Sequence, residues 1–145
     1  MPNEFDAFID QLQKKIIQED IKNHNEKIVK LFHNPKNWGK PSKEEISIFE
    51  ERRGGPKGYF LGLYLKIADD IIIKANFITD GCGVMVATAS QTTILIEGKS
   101  LYFAKNLKPE DIDSALDGLP KDEKNCADFV INTLRIIIEK YKQNQ

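Results

Sequence analysis

Apolar residues near both ends of the chain recur every three or four positions, which is the period of a helix. At the N-terminus this spacing predicts a helix that Asn3 caps. Its apolar face carries Phe5, Phe8, Ile9, Leu12 and Ile16. A second helix, over residues 28–32, should end near Asn34, because the residue before a proline is pushed out of helical geometry. The turn-rich residues 33–41 follow it as a connector.

In the middle of the chain apolar and polar residues alternate, which is the period of a strand. The alternation has two halves, separated by a tight turn at residues 68–70. The apolar positions are Leu61, Leu63, Leu65 and Ile67 in the first half and Ile71, Ile73, Ala75 and Phe77 in the second. This pattern predicts an antiparallel hairpin with one buried face.

Residues 42–55, just before this hairpin, fit two interpretations. Ser42 and Glu45 have the spacing of a capping box, which predicts a short helix that ends at residues 54–55. Alternatively, Ile46 and Ile48 alternate with polar neighbours, which predicts a third strand within residues 45–53. The sequence leaves both interpretations open.

Beyond Asp80 the pattern becomes helical again. Small and apolar residues over 84–96 predict a helix that stops at Gly98. Another helix should start at Pro109 and stop at Gly118, and the last should begin near Asp122. The apolar face of the last helix carries Cys126, Val130, Leu134, Ile137 and Tyr141.

Strands in the middle with helices on both sides predict an α+β fold, in which a small antiparallel three-stranded sheet packs against several helices. The length of 145 residues suits a single domain over residues 1–145. Within it we expect an N-terminal helical segment at 1–32, a sheet region at 45–80 and a helical region at 83–141.

The charge and composition narrow the classes of function. A net charge of −1, with acids and bases mixed, gives no basic surface for nucleic acid or for an anionic membrane. The apolar runs are too short to span a bilayer, and the first residues lack the basic and apolar regions of a signal peptide. We therefore expect a cytoplasmic protein whose two cysteines are reduced thiols.

Cys82 is the most informative single residue. It lies between Gly81 and Gly83, just after a predicted strand and just before a predicted helix. Glycines allow close backbone approach and unusual dihedral angles, and a helix N-terminus favours a thiolate. A thiolate binds iron or zinc, or accepts a sulfur atom as a persulfide. The alternative is a small buried thiol in a tight turn, since free cysteines are commonly buried.

The other candidate residues carry less information when taken alone. Cys126, on the apolar face of the last helix, is by itself best explained as a core residue. His24 and His33 do not share a helix face, and the sequence has no zinc-finger, phosphate-loop or catalytic-triad motif. Because no acid–base constellation is present, we do not expect an independent enzyme.

Four segments in a fixed order resemble the IscU/NifU N-terminal family of iron–sulfur cluster scaffolds, which includes SufU-like proteins. HNPKNWG (33–39) resembles the family's ENPRNVG, and the hairpin is followed by TDGCG (79–83), as in the family. VMVATASQTTILIEGKS (84–100) resembles the family's SAIASSSxxTEMIKGKS, and PEDIDSALDGLP (109–120) leads to Cys126 at the family's spacing. The resemblance extends from about residue 33 to the C-terminus.

In this family three cysteines converge at one end of the molecule and hold a nascent two-iron, two-sulfur cluster or a zinc ion, with help from an aspartate or a histidine. The second cysteine matches Cys82 and the third matches Cys126. The resemblance thus implies that these two thiols meet and bind iron or a [2Fe–2S] cluster, with zinc in a purified form. It also implies a cysteine desulfurase and acceptor apo-proteins as partners.

The chain departs from the family pattern at the other ligand positions. The first cysteine belongs to a P-x-CGD element and falls on Lys57, while the aspartate falls on Tyr59. The histidine before the third cysteine is Asn125, and the chaperone-recognition motif LPPVK is LPKDE (119–123). Lysine is a poor iron ligand near neutral pH because its amine is protonated, although its charge favours a nearby thiolate.

These residues leave three hypotheses. The first is a scaffold or carrier in which Cys82 and Cys126 hold iron or a cluster, with two thiolates from each chain of a homodimer supplying four ligands. The second is a binding module that docks a desulfurase or another assembly protein and carries no cluster. The third is a persulfide carrier with Cys82 as the acceptor.

Overall fold

The structure of the protein is a computed structural model. It describes residue 4 and residues 7–12, 14–15 and 25–145. Residues 7–12 and 14–15 are helical, as the N-terminal pattern predicts. The predictions for Asn3, Phe5, Ile16 and His24 lie outside the described residues.

Helix α1 spans Glu26–His33 and confirms the second predicted helix. The Asn25 side chain caps its start by accepting a hydrogen bond from a backbone N–H of the first turn. The helix ends before Asn34, as expected for a residue that precedes a proline. The turn-rich connector then reaches the sheet, where Trp38 pairs with Phe77.

Within the described residues the strands form a three-stranded antiparallel sheet in the order β1–β2–β3. The strands are β1 at Ile48–Gly54, β2 at Tyr59–Ala68 and β3 at Ile71–Thr79. The predicted hairpin and its turn are confirmed by β2 and β3. Asp69 and Asp70 have φ angles of 53° and 59°, as the tight two-residue turn of a hairpin requires.

Strand β1 decides between the two interpretations of residues 42–55. The third strand is correct, and the predicted helix is wrong, because only a 3₁₀ turn at Lys43–Glu45 precedes the strand. The Ser42 side chain makes no capping hydrogen bond. Pairing along the edge of β2 gives the backbone groups of β1 their partners, whereas an isolated short helix is marginal.

One position of β3 breaks the predicted alternation. Ile73 is 50% exposed, whereas Ile72 is fully buried. The pairing register shifts between Lys66 and Ile67, so that Ile67 faces Ile72 and Lys66 faces Lys74. Ile73 is left between these pairs as a β-bulge, which turns it outward. The prediction that Ile73 points into the core is therefore wrong.

The helices after the sheet contribute to one core with it. They are α2 at Gly83–Ile96, α3 at Leu101–Lys105, α4 at Pro109–Ala115 and α5 at Asn125–Gln143. The sequence did not predict α3. Helix α5 begins after the predicted Asp122, because Lys121–Glu123 forms a separate 3₁₀ turn. Along the described part of the chain, no helix combines the length and the apolar character needed to cross a membrane.

Helix α2 lies in the core, and this fixes the position of its N-terminus. Its buried threonine hydroxyls donate within the helix, Thr88 to the carbonyl of Val84 at 2.7 Å and Thr92 to that of Thr88 at 2.8 Å. Ser90 donates to the carbonyl of Lys36 in the connector at 2.9 Å. Helix α2 is thus stabilised by hydrogen bonds within the helix and by a hydrogen bond to the connector.

Candidate functional site

The corner between β3 and α2 holds Cys82 in place. Asp80, directly after β3, accepts hydrogen bonds from the Phe60 backbone N–H at 2.7 Å and from Arg53 Nη1 at 3.1 Å. These contacts, that of Phe60 first, lower the pKa of Asp80. Cys82 then forms the N-cap of α2 with an extended backbone and is half-buried. Its place at a helix N-terminus is as the sequence predicts.

The two glycines of this corner allow close packing. A Cβ atom on Gly81 would lie 2.7 Å from Met85 Cγ and 3.1 Å from Tyr59 Cδ2. A Cβ atom on Gly83 would lie 2.7 Å from the ring of Phe32. Neither glycine has a positive φ, so close approach, and not a left-handed backbone, is the reason for glycine here.

Cys126 lies in the first turn of α5, where 3% of its surface is exposed. This turn is fixed by the end of β1. A Cβ atom on Gly54 would overlap the ring of Phe129, and the Arg52 guanidinium lies 5.3 Å from the centre of that ring. The sheet therefore determines where Cys126 lies.

Glu123 contacts Cys82 and influences Cys126 through its charge. The Cys82 thiol lies 3.2 Å from Glu123 Oε2 and donates a hydrogen bond to it. Burial, and then the negative charges of Cys82 and Glu123, raise the pKa of Cys126 to about 12. Such charge effects require proximity. The two thiols thus lie within electrostatic range of each other, while their convergence in one pocket and their role as ligands stay predictions.

The turn before β2 brings Lys57 and Tyr59 to the same site. A hydrogen bond with the Cys82 side chain, and then burial, raise the pKa of Tyr59. The negative charges of Tyr59 and then of Glu123 raise the pKa of Lys57. The Lys57 side chain, at the position that corresponds to the first family cysteine, is exposed, and its ammonium group lies within electrostatic range of Cys82 and Glu123.

Glu123 is a residue of this site that the sequence pattern does not predict. It appeared only as the last letter of LPKDE. A usable signal was its position three residues before Cys126, because residues three apart lie on one face of a helical segment. Asn125, at the family's histidine position, faces the turn before β2, with Nδ2 3.7 Å from a Cβ placed on Gly55.

The site offers two thiols, a carboxylate, a phenol and an ammonium group. Thiolates are soft ligands that suit iron–sulfur clusters and zinc. Among the described residues, no three or more His, Cys, Asp or Glu side chains are arranged to hold a metal ion as they stand. The ligand role of the two cysteines therefore stays a prediction.

Iodoacetamide should modify Cys82 well before Cys126 in the folded protein. Cys82 is half-buried, whereas Cys126 is 3% exposed. The rise of the Cys126 pKa to about 12 from the ~8.5 of a free cysteine lowers its thiolate fraction by about three orders of magnitude near neutral pH. Mass spectrometry of peptides sampled over time measures both rates. In urea the two thiols should react alike, and equal rates in the folded protein would contradict the prediction.

Comparison with known protein families and sequences identifies the relatives of this chain. Residues 23–145 match the profile of the NifU-like N terminal domain. The iron–sulfur cluster assembly scaffold protein IscU of Aquifex aeolicus (strain VF5) is 30% identical over 130 residues, which cover 84% of this chain and 78% of that protein. The IscU scaffold protein of Escherichia coli (strain K12) is 31% identical over 124 residues, which cover 84% and 96%.

Solved structures with the same fold include FiSufU, from the thermophile Fervidobacterium islandicum AW-1, and the N-terminal part of a NifU-like protein from Brucella abortus. FiSufU has a TM-score of 0.61 and 21% identity, covering 81% of this chain and 98% of its own. The Brucella protein has a TM-score of 0.61 and 14% identity, covering 89% and 99%. The α+β fold with its three-stranded antiparallel sheet is thereby confirmed. Together with the match over residues 23–145, this makes the chain a member of the NifU-like N-terminal domain family, with IscU scaffold proteins among its relatives.

Proposed function

We propose that this chain is a scaffold or carrier in iron–sulfur cluster assembly, which holds iron or a nascent [2Fe–2S] cluster through Cys82 and Cys126. The observation that carries the proposal is the 3.2 Å contact between Cys82 Sγ and Glu123 Oε2, because Glu123 lies only three residues before Cys126 along the chain. Cysteine thiolates are the groups by which proteins hold such clusters. Relatives named as iron–sulfur cluster assembly scaffolds support the same function.

A homodimer would complete the ligand set of a cluster. A two-iron cluster takes four protein ligands, and this chain has two cysteines. One cluster is therefore shared by two chains in this proposal, with Cys82 and Cys126 from each. Lys57 does not ligate, but its positive charge offsets part of the negative charge of four thiolates.

A cysteine desulfurase would supply the sulfur and acceptor apo-proteins would receive the cluster. In this proposal the chain has no catalytic activity of its own, and zinc occupies the same thiols in a purified form. The cytoplasmic location predicted from the sequence stays a prediction.

Anaerobic reconstitution of the protein, with its thiols reduced, from ferric iron and sulfide should produce the visible charge-transfer absorption of a cluster. We expect about two iron and two acid-labile sulfide atoms per pair of chains, because one [2Fe–2S] cluster would be shared. Metal analysis, sulfide analysis and size-exclusion chromatography measure these quantities. A protein that retains neither iron nor sulfide contradicts the scaffold function.

The second candidate is a module that docks a desulfurase without carrying a cluster. Two observations favour it, namely Lys57 at the first cysteine position and the lack of a three-residue metal group in the described part of the chain. The same preparation distinguishes the two functions. A chain that takes up no iron but co-purifies with a desulfurase, even after both cysteines are replaced, is such a module.

A further inference from the structure

Residues 1–22, here called the leading segment, precede the part of the chain that matches the NifU-like N terminal domain, which begins at residue 23. The described residues of this segment over 7–15 are helical. Phe8 and Leu12 are 59% and 43% exposed, and side chains four positions apart share one face of a helix. With Gln11, Lys14 and Lys15 they line a cleft of about 370 Å³. The segment thus presents an apolar face with two lysines at its end.

A groove between α4 and the start of α5 offers a matching surface on the same chain. It encloses about 310 Å³, and the buried side chains of Leu119 and Ala127 form its base. The carboxylates of Glu110, Asp113 and Asp128 lie at its rim. An apolar base with an acidic rim is complementary to a helix face that combines apolar side chains with lysines.

The charge at the rim of this groove is only partly balanced by the groove itself. Lys124 Nζ lies 3.8 Å from Asp113 Oδ2 and offsets the charge of that carboxylate. Glu110 and Asp128 are exposed acids of the same groove. A cation brought by another segment would therefore be attracted to the side of the groove that carries these two carboxylates.

The covalent connection of the leading segment places it next to this groove. Asn25 Nδ2 donates to the backbone carbonyls of Leu116 at 2.7 Å and of Gly118 at 2.9 Å, and Gly118 directly precedes Leu119 at the base of the groove. The residues between Lys15 and Asn25 span about 15 Å as a helix and about 35 Å when extended. The lysine end of the segment therefore reaches the groove, and a tether of this length gives an effective concentration of ~mM.

We propose that the leading segment is an intramolecular partner of the domain and that its helix lies in the groove between α4 and α5. Phe8 and Leu12 pack on the apolar base, and the two lysines lie at the acidic rim. The groove shares Leu119 with LPKDE (119–123), the segment at the family's chaperone-recognition position. The docked helix covers one side of that segment, so another protein must displace the helix to bind there. This inference goes beyond the proposed function and involves no metal.

Carbodiimide crosslinking of the full chain tests the proposal, because this reagent joins a lysine amine directly to a carboxylate in contact with it. Mass spectrometry should find Lys14 or Lys15 joined to Glu110 or Asp128. The double variant Phe8→Ser, Leu12→Ser keeps all of these reactive groups. It should lower the crosslink yield at least about tenfold, because two large apolar side chains lose their burial.

The matched control is Ala7→Ser with Asp10→Ser, which places two serines at exposed positions of the same helix away from the Phe8–Leu12 face. This control should crosslink like the wild type. Thermal unfolding followed by circular dichroism establishes that both double variants keep a folded domain. An unchanged crosslink yield in the folded Phe8→Ser, Leu12→Ser variant would overturn the proposal.

A mixture of unlabelled chains and chains labelled with heavy nitrogen shows which chain supplies the lysine. Crosslinked peptide pairs of a single isotope composition support docking within one chain. Pairs of mixed composition would overturn it, since the occupant of the groove would then be a second copy. Because the experiment contains no iron, its failure leaves the proposed scaffold function unaffected.

Discussion

Replacement of both cysteines, Cys82→Ser and Cys126→Ser, should abolish uptake of iron and sulfide during anaerobic reconstitution. The hydroxyl of serine stays protonated near neutral pH and is a much poorer ligand for iron than a thiolate. We expect retained iron to fall at least about tenfold, because loss of a direct ligand exceeds the ~10–100-fold effect of an outer-shell partner. Iron analysis, sulfide analysis and visible absorbance after desalting measure the loss.

A matched pair of variants distinguishes iron loss caused by missing ligands from iron loss caused by unfolding. The Cys126 site is 3% exposed, so a serine hydroxyl there costs roughly 1–3 kcal/mol unless it finds a partner. Cys126→Ala removes the thiol without burying a hydroxyl, and the double variant Cys82→Ser with Cys126→Ala should be equally free of iron. Thermal unfolding followed by circular dichroism establishes that both variants fold. Wild-type loading by either folded double variant would refute the ligand role of these cysteines.

The period of apolar residues was enough to predict the β2–β3 hairpin and the buried face of α5. It failed where pairing between strands decided the outcome. Ile73 follows the alternation in sequence, yet the register shift beside Lys66 turns it outward. A bulge depends on how two strands pair, and that information is not contained in one strand's pattern. Strand β1 was likewise one of two interpretations until the edge of β2 gave it a partner.

The sequence predicted some residues of the candidate site better than others. Cys82 was predictable from its neighbours, because a strand, two glycines and a helix start place it at a helix N-terminus. Taken alone, Cys126 was best explained as a core residue. The expectation that it shares a site with Cys82 came only from the family resemblance. Glu123 was identified only from the 3.2 Å contact of its carboxylate with Cys82 Sγ. The junction of a 3₁₀ turn with α5 determines where that carboxylate points.

Lys57→Cys should restore a third thiol to the site and allow a single chain to hold a cluster. The charges of Tyr59 and Cys82 act on Lys57, so position 57 lies within electrostatic range of the site, and we expect the turn to move inward to bring the shorter cysteine side chain to the other thiols. Two glycines with positive φ, Gly55 and Gly58, lie beside it in the turn and do not restrict the backbone as a side chain would. Three thiolates would supply three of the four protein ligands that a two-iron cluster takes, which leaves one position for a further group of the same chain.

The expected gain is a cluster that persists at least about tenfold longer in the presence of a chelator, given that ligand changes alter metal affinity by tenfold or more. Size-exclusion chromatography should show the loaded variant as a monomer with two iron atoms per chain, in contrast to the shared cluster expected for the wild type. Lys57→Ala is the control, since it removes the ammonium group without adding a ligand, and it should not prolong cluster lifetime. If Lys57→Ala and Lys57→Cys stabilise the cluster equally, the gain comes from removing the positive charge. Position 57 would then influence the site through its charge alone, and the added thiol would not be a ligand.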